Sequence, residues 1–341
     1  MSTALSPIPI RSVDGFRLGH ATDRAAATGC TAIVAPAGAT GGVDVRGGAP
    51  ASRETDLLRP ENTVDVVHAV VLSGGSAFGL EAASGAAREL EARGIGLETG
   101  PVKVPIVCSS CIYDLGFGRA DVRPDVAEGR AAVEAALDGP AEEPLAEGTV
   151  GAGTGATVGK LLGPAHAMKG GLGARALALG PLQVGAVAAV NACGNVVDPA
   201  TGAAVAGVRA AEEGGPVIDM EGTLLAMAAA GMAGGADAPA QAARTNTTVS
   251  CIVTNATLTK AQATKVAQMA ADAYAHAIRP THTTNDGDTI YVLASGTMGE
   301  AGAAFPLDLI GLLATRALEA AIVAACTEAT ALFGTPAARD I

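Results

Sequence analysis

The 341-residue chain predicts an α/β fold, and two stretches carry that prediction. Val64–Leu72 is a short, Val-rich apolar run. It is followed by Ser73-Gly-Gly-Ser76 and then by Ala77–Ala92, whose composition favours helix. That order reads as a buried strand, a glycine turn and a helix, with Ser76 as N-cap. From Thr247 to the end the pattern is again strand, helix, strand, helix. Thr247–Thr254 alternates and is β-branched, and Leu258-Thr259 opens a helix over Lys260–Ile278 that stops at Arg279-Pro280. Asp288–Ala294 reads as a strand, and Leu307–Phe333 contains a last helix.

The remaining elements fit the same alternation. Val102–Val107 reads as a strand leading into Cys108–Phe117, Asp125–Leu137 as a helix, and Val184–Val190 as a buried strand ending at Asn191. Asn195–Gly202 has turn composition. Ala203–Arg244 is rich in Gly, Ala, Pro and Glu, with a helical patch near Leu224–Met232, and Gly234–Arg244 reads as an exposed linker. No internal repeat is visible, and the length suits one large domain or two ordinary ones.

Composition narrows the function classes. Apolar residues make up 49% of the chain but aromatics only 2%, so the core is built from Ala, Val, Leu and Ile. The 45 glycines exceed the usual share of about 7%, which implies closely packed backbones and many turns, or else reflects genome composition. A net charge of −12 with no Lys/Arg cluster argues against nucleic-acid binding. Met1 to Gly15 has no basic region followed by an apolar core, and the apolar runs Leu182–Val190 and Leu224–Ala233 are too short to span a bilayer. A cytoplasmic protein without membrane contact is expected. The six cysteines are not a disulfide framework in a chain this long. Cys108-Ser-Ser-Cys111 has redox or metal spacing but no second pair and no nearby His, so buried free thiols are expected. The five histidines form no ligand pattern, and neither a metal nor another cofactor is expected.

Two glycine-rich segments could bind anions. The turn at Gly74, Gly75 and Ser76 could aim backbone N–H groups at an oxyanion, or simply connect strand to helix. Gly151-Ala-Gly-Thr-Gly-Ala-Thr-Val-Gly-Lys160 superficially suggests a phosphate loop. It departs from that pattern, because Thr154 occupies the first glycine position and Leu161 follows Lys160. The transition near residue 246 is more informative. A linker runs straight into a strand that opens with threonines, an arrangement that suits an enzyme whose nucleophile becomes a new chain start when the linker is cut.

Five segments, in order, resemble the self-processing L-aminopeptidase/D-esterase family, which also contains β-aminopeptidases and nylon-oligomer endohydrolases. They are Val43-Asp-Val-Arg-Gly-Gly-Ala-Pro50, Leu72-Ser-Gly-Gly-Ser-Ala-Phe-Gly-Leu80, Val190-Asn-Ala-Cys-Gly-Asn195, Asn246-Thr-Thr-Val-Ser250, and Arg279-Pro-Thr-His-Thr283 with Asp286-Gly-Asp-Thr289. Ile112-Tyr-Asp114 and residues 151–160 look closest to the nylon-hydrolase branch. The resemblance implies a four-layer α/β/β/α sandwich forming a single catalytic domain over 1–341. It also implies cleavage at Asn246–Thr247 into 1–246 and 247–341, with residues 234–246 as linker, and a homotetramer of the resulting protomers.

The chemistry follows from that bond. In the precursor, the Thr247 hydroxyl would attack the Asn246 carbonyl, and hydrolysis of the ester would free an α-amine with a pKa of about 7.7–8.0. Such an amine can act as general base for its own hydroxyl. Thr248 and Ser250 are the rival hydroxyls, but Thr248 would face the other side of a strand. The resemblance places Asn191 as a side-chain donor to the oxyanion, a role worth roughly 2.7–4 kcal/mol. It places Asp286 and Asp288 around the Thr247 ammonium or hydroxyl, and Tyr113 as an active-site phenol. Lys160 would polarise the nucleophile, with Lys169 as competitor, and Gly74, Gly75 and Ser76 would line the substrate cleft. A calcium loop at Asp286 and Asp288 lacks further ligands. The expected substrates are small peptides, β-peptides or ω-amino-acid oligomers. An acyltransferase of the ornithine acetyltransferase type and a non-catalytic ligand-binding protein are the alternative readings.

Overall fold

The computed structural model describes residues 4–140, 143–211, 214–234 and 245–341. Ten strands form its main sheet system: β1 (Leu5–Ile8), β2 (Arg17–Asp23), β3 (Thr28–Val45), β4 (Ser52–Arg53), β5 (Val67–Ser73), β6 (Val107–Cys111), β7 (Gly171–Leu179), β8 (Leu182–Asn191), β9 (Thr247–Thr254) and β10 (Thr289–Ala294). The spatial order is β1-β7-β8-β9-β10-β3-β5-β6-β4, with β2 on the other flank of β3.

The 18-residue strand β3 belongs to two sheets. Its first part pairs with β2 and β5, and its last part, Thr40–Val45, pairs with β10. Between them the register shifts across Val34–Ala39, at Pro36 and the left-handed Gly38 (φ 81°). Proline cannot donate to a ladder and glycine takes positive φ freely, so the strand bends there and one sheet folds over the other.

Alternation then sorts side chains between layers. On β9, Val249, Cys251 and Val253 enter the core between the sheets, together with Tyr291 and Leu293 of β10, Ile33 of β3, and Val70 and Leu72 of β5. The outer face of the first sheet carries Ile252, Ile290 and Val292 against helices α4 (Lys260–Ala270) and α6 (Leu307–Thr327). The outer face of the second carries Ala69 and Val71 against α1 (Glu81–Ala92) and α2 (Val126–Asp138). The result is helices, sheet, sheet, helices: the α/β/β/α sandwich. Small residues make it tight. A Cβ on Gly19 of β2 would lie 2.2 Å from the backbone nitrogen of Ala136 in α2, and one on Gly173 of β7 would meet a carbonyl of α6 at 1.9 Å. Part of the high glycine content is therefore a packing requirement.

Several elements differ from their sequence expectation. Of the strand expected at Val102–Val107 only the short pairing Lys103–Val104 forms, and the strand of the main sheet lies at Val107–Cys111. Its two polar residues are satisfied internally: Ser109 Oγ donates to Val71 O at 2.8 Å, and Ser110 Oγ meets Tyr291 Oη at 2.9 Å. Ser76 is not an N-cap. It takes φ 54° in a 3₁₀ turn, Ser76–Leu80, that precedes α1. The helix expected over Lys260–Ile278 breaks into α4 and a short α5 (Asp272–Ala277), with Thr259 and Gln262 forming a capping box at the start of α4. The turn expected at Asn195–Gly202 opens with a strand, Asn195–Val197. The helical patch near Leu224 belongs to α3 (Met220–Gly234), while the linker expected after it lies almost wholly outside the described residues.

Helix α6 is long and apolar enough by length and composition to cross a membrane. In the fold it is a core helix, with Ile310, Leu313, Leu318 and Ile322 buried against the sheet. The six thiols are free and buried, and burial pushes Cys108 up to about 12, which suits a packing role.

Leu172 of β7 is fully buried between the sheets. Leu172→Ala is expected to cost about 2–5 kcal/mol, read by denaturant unfolding.

Candidate active site

The site begins with a strand register. β8 and β9 are antiparallel, and their last pair is Asn191 opposite Thr247. Thr247 continues the Val249, Cys251, Val253 series and so faces between the sheets. Thr248 and Ser250 point to the helix side, where Tyr274 Oη reaches Ser250 Oγ at 3.0 Å. Thr247 is 5% exposed and Asn191 fully buried.

The Thr247 hydroxyl lies against the carbonyl oxygen of Asn246, its own preceding residue, and donates to it. The Gly287 N–H donates to that same oxygen at 3.0 Å. Residue 287 has no room for a side chain, because a Cβ there would stand 2.9 Å from Thr247 Oγ1 and 3.0 Å from Ala49 O. The Asp286-Gly-Asp288 turn is seated by the segment Arg46–Ala49, whose N–H groups donate to Asp288 O, Thr283 O and Asp286 O.

One residue further back, the carbonyl of Thr245 accepts from Lys160 Nζ at 2.9 Å and from Asn191 Nδ2 at 3.0 Å. Lys160 Nζ also donates to Asn191 O at 3.0 Å and Oδ1 at 2.7 Å. Three acceptors around one nitrogen match the three donors of an ammonium. Burial nonetheless pushes the Lys160 pKa down to about 7, against the pull of Cys193, Asp286 and Asp114. Asn191 Oδ1 also accepts from Thr157 N at 3.0 Å, and its Nδ2 donates to Tyr113 O at 2.9 Å. Asn191 is thus saturated by the glycine-rich loop, Lys160 and the main chain on either side of it.

Asp286 and Asp288 are each 3% exposed. Asp286 Oδ2 accepts from Thr283 N at 2.6 Å, and Asp288 Oδ1 accepts from Thr248 N at 2.7 Å. Burial, then the neighbouring Asp288 charge, raises the Asp286 pKa, with Lys160 opposing. The Asp288 carboxylate therefore meets the chain on the C-terminal side of the Asn246–Thr247 bond, Lys160 and Asn191 meet it on the N-terminal side, and the Asp286 carboxylate closes its own turn on Thr283 N.

The other sequence candidates fall differently. Lys169 is fully buried but serves another place: its Nζ donates to Thr154 O at 2.9 Å and Ala156 O at 2.6 Å, and sits 4.6 Å from the Phe117 ring centroid. It ties down the glycine-rich loop, while Lys160 touches the Thr245 carbonyl. Tyr113 reaches Asn191 through its main-chain carbonyl. The turn at Gly74, Gly75 and Ser76 offers no spare main-chain N–H, a correction to the reading of its N–H groups as oxyanion donors. Gly74 N donates to Gly29 O at 2.9 Å, Gly75 N to Asp114 Oδ1 at 2.7 Å, and Ser76 N to Ile112 O at 2.9 Å. The loop at 151–160 is also no phosphate cradle. A Cβ on Gly153 would meet Leu172 N at 2.1 Å, so its glycines allow backbone to pack on backbone. The sequence reading missed Gly287 as a donor and Asp114 as the residue that fixes the Gly75 turn. Both lay inside quoted motifs, but nothing local reveals where an N–H or a carboxylate points.

The sequence model of peptidase family S58 matches residues 9–339. The chain belongs to peptidase family S58. Its S58 relatives include an uncharacterized aminopeptidase of Mycobacterium leprae (strain TN), 38% identical over 350 residues that cover 96% of this chain and 92% of the relative. The 6-aminohexanoate-oligomer endohydrolase of Paenarthrobacter ureafaciens is 34% identical over 284 residues, 82% of this chain and 73% of its own. Among solved structures, the L-aminopeptidase D-Ala-esterase/amidase of Ochrobactrum anthropi superimposes with a TM-score of 0.67 at 20% identity, covering 98% of this chain and 90% of that one; its structure is described as a variant of the Ntn hydrolase fold. A β-aminopeptidase of Burkholderia sp. gives 0.62 at 22% identity, covering 96% and 89%. The S58 chain described here has that fold and is a hydrolase of peptide or amide bonds.

Burial also pushes the pKa of Lys169 down to about 7. A lysine depressed in the fold binds fewer protons there than in the unfolded chain between about pH 7 and 10.5, so its burial cost fades as pH rises through that window. Any Tm advantage of Lys169→Met over wild type should therefore be larger at pH 6 than at pH 9, as read by thermal unfolding at the two pH values.

Proposed function

We propose that this S58 enzyme is a self-processing N-terminal-threonine hydrolase that cuts its own Asn246–Thr247 bond and then uses Thr247 on substrate amides. The observation that carries the reading is the pair of contacts on the Asn246 carbonyl oxygen: the Thr247 hydroxyl on one side and the Gly287 N–H on the other.

In the precursor, Thr247 Oγ1 adds to the Asn246 carbonyl carbon, and the hydroxyl proton passes to a base. Charge develops on the Asn246 oxygen, where Gly287 N–H already donates. The C–N bond breaks, the Thr247 nitrogen takes up a proton, and an ester joins Asn246 to the Thr247 oxygen. Water hydrolyses that ester, leaving a carboxylate on Asn246 and a free amine on Thr247. Lys160 suits the proton traffic, since a lysine near pKa 7 both holds and releases a proton close to neutral pH. In turnover the freed amine takes over as base, the substrate acyl group is carried on Thr247 Oγ1, and water releases it. Once residue 246 is a chain end, the Thr245 carbonyl can withdraw, and Asn191 Nδ2 and Lys160 become donors facing the vacated site. In this reading Asn191 serves the substrate oxyanion and Gly287 the oxyanion of self-cleavage.

The substrate range proposed is small peptides, β-peptides and ω-amino-acid oligomers. The curated relatives named as aminopeptidase and as 6-aminohexanoate-oligomer endohydrolase support that range. Assembly of cleaved protomers into a homo-oligomer belongs to the same proposal.

Intact mass spectrometry of the purified protein is expected to give two chains, 1–246 and 247–341. Thr247→Ala should leave one full-length species with no hydrolysis of aminoacyl p-nitroanilides, β-peptides or aminohexanoate oligomers; cleavage or turnover by that variant would overturn the mechanism. Gly287→Ala crowds the nucleophile and is expected to slow self-cleavage by roughly a hundredfold, followed as loss of full-length chain on a denaturing gel.

A further inference from the structure

A closed set of contacts stands behind the nucleophile, on the helix side of β9. Asp288 Oδ1 accepts from Thr248 N at 2.7 Å. Its other oxygen, Oδ2, receives three groups: His282 Nδ1 at 2.9 Å, His282 N at 3.2 Å and Thr281 Oγ1 at 3.3 Å. The His282 ring stacks on Tyr274, with centroids 5.3 Å apart and planes 21° apart. Tyr274 Oη then returns to the strand, 3.1 Å from Thr248 O. The path runs from the Thr248 N–H through Asp288, His282 and Tyr274 back to the Thr248 carbonyl. Both main-chain polar groups of Thr248 are held by one cluster.

His282 is conformationally unusual. Its φ is 54°, a left-handed value that non-glycine residues seldom take and that persists only where surroundings impose it. That backbone brings the N–H and the imidazole of one residue onto the same carboxylate oxygen. A carboxylate partner on Nδ1 fixes the proton there and fixes the ring plane. Neither His282 nor Tyr274 lies on the face of β9 that carries Thr247, so neither acts on the reacting atoms.

We propose that His282 and Tyr274 are positioning residues that, with Asp288, clamp the main chain on both sides of Thr248 so that the Thr247 hydroxyl stays against the Asn246 carbonyl before cleavage and keeps its place in turnover. The proposal rests on Thr247 being the nucleophile. It predicts a loss in kcat rather than in KM, because the clamp meets the enzyme's own chain and not the substrate.

The test uses three variants of the full chain. His282→Gly relaxes the left-handed backbone but removes the imidazole donor. His282→Asn also tolerates positive φ and restores a side-chain N–H within reach of Asp288. Tyr274→Phe keeps the stacked ring and removes only the hydroxyl. Self-cleavage is followed by intact mass and amide turnover by steady-state kinetics. His282→Gly and Tyr274→Phe are each expected to slow self-cleavage and lower kcat on the order of tenfold, the scale of one lost hydrogen bond, with KM within about twofold. His282→Asn should recover most of the loss. Wild-type rates in His282→Gly, or an Asn variant no better than the Gly variant, would overturn the clamp; if His282→Gly does not fold, Tyr274→Phe decides, and an unchanged kcat there overturns it. Failure of the underlying reading looks different: Thr247→Ala would still cleave or turn over, whatever the clamp variants do.

Discussion

The pairing of Asn191 with Thr247 at the ends of two antiparallel strands is the constraint on which the site depends. A register slip of one residue would turn Thr247 toward the helices and put Thr248 between the sheets. The slip is opposed along the whole length of β9, where Val249, Cys251 and Val253 fill the inter-sheet core and Ile252 fills the outer one. The apolar alternation of an ordinary buried strand therefore aims Thr247. Its hydroxyl is held in place by hydrophobic burial several residues away.

Charge in the site is managed by the protein's own partners. Asp286 and Asp288 are buried and Lys160 is part-buried around one short stretch of chain, and each is met by main-chain or side-chain partners. Burying such groups unpaired would be costly, and pairing them only partly recovers that cost. The glycine-rich loop supplies much of the compensation. It carries Lys160 at its end, donates Thr157 N–H to Asn191, and is itself tied by Lys169 through the carbonyls of Thr154 and Ala156. Its glycines lie close against neighbouring backbones, which gives a second function to a composition that superficially resembles a nucleotide loop.

The two glycine turns near the site divide their work by geometry. The turn at residues 74–76 has a suggestive sequence, but its N–H groups are spent on Gly29, Asp114 and Ile112. The turn at Asp286-Gly-Asp288 is less conspicuous, yet its Gly287 N–H meets the Asn246 carbonyl, on which the Thr247 hydroxyl also lies. Hydrogen-bond donors are universal along the backbone, so a turn's composition does not say which donors remain available.

The sequence by itself determined most helices, the chemical inventory and the strands at Val64–Leu72, Val184–Val190, Thr247–Thr254 and Asp288–Ala294, but not β1 to β4 or β7. Val64–Leu72 and Thr247–Thr254 were legible because β-branched apolar runs have few other solutions, and Thr247, Asn191, Lys160, Asp286 and Asp288 were legible as an ordered set of motifs. Only the tertiary structure separates Lys160 from Lys169. The two differ by nine positions and share the same chemistry, but one reaches the Thr245 carbonyl and the other the loop. It likewise revealed Gly287, Asp114, His282 and Tyr274, whose roles depend on direction and distance across elements far apart in the chain. Periodicity records which face a residue occupies; it carries no record of what stands opposite that face, and that is where the site is made.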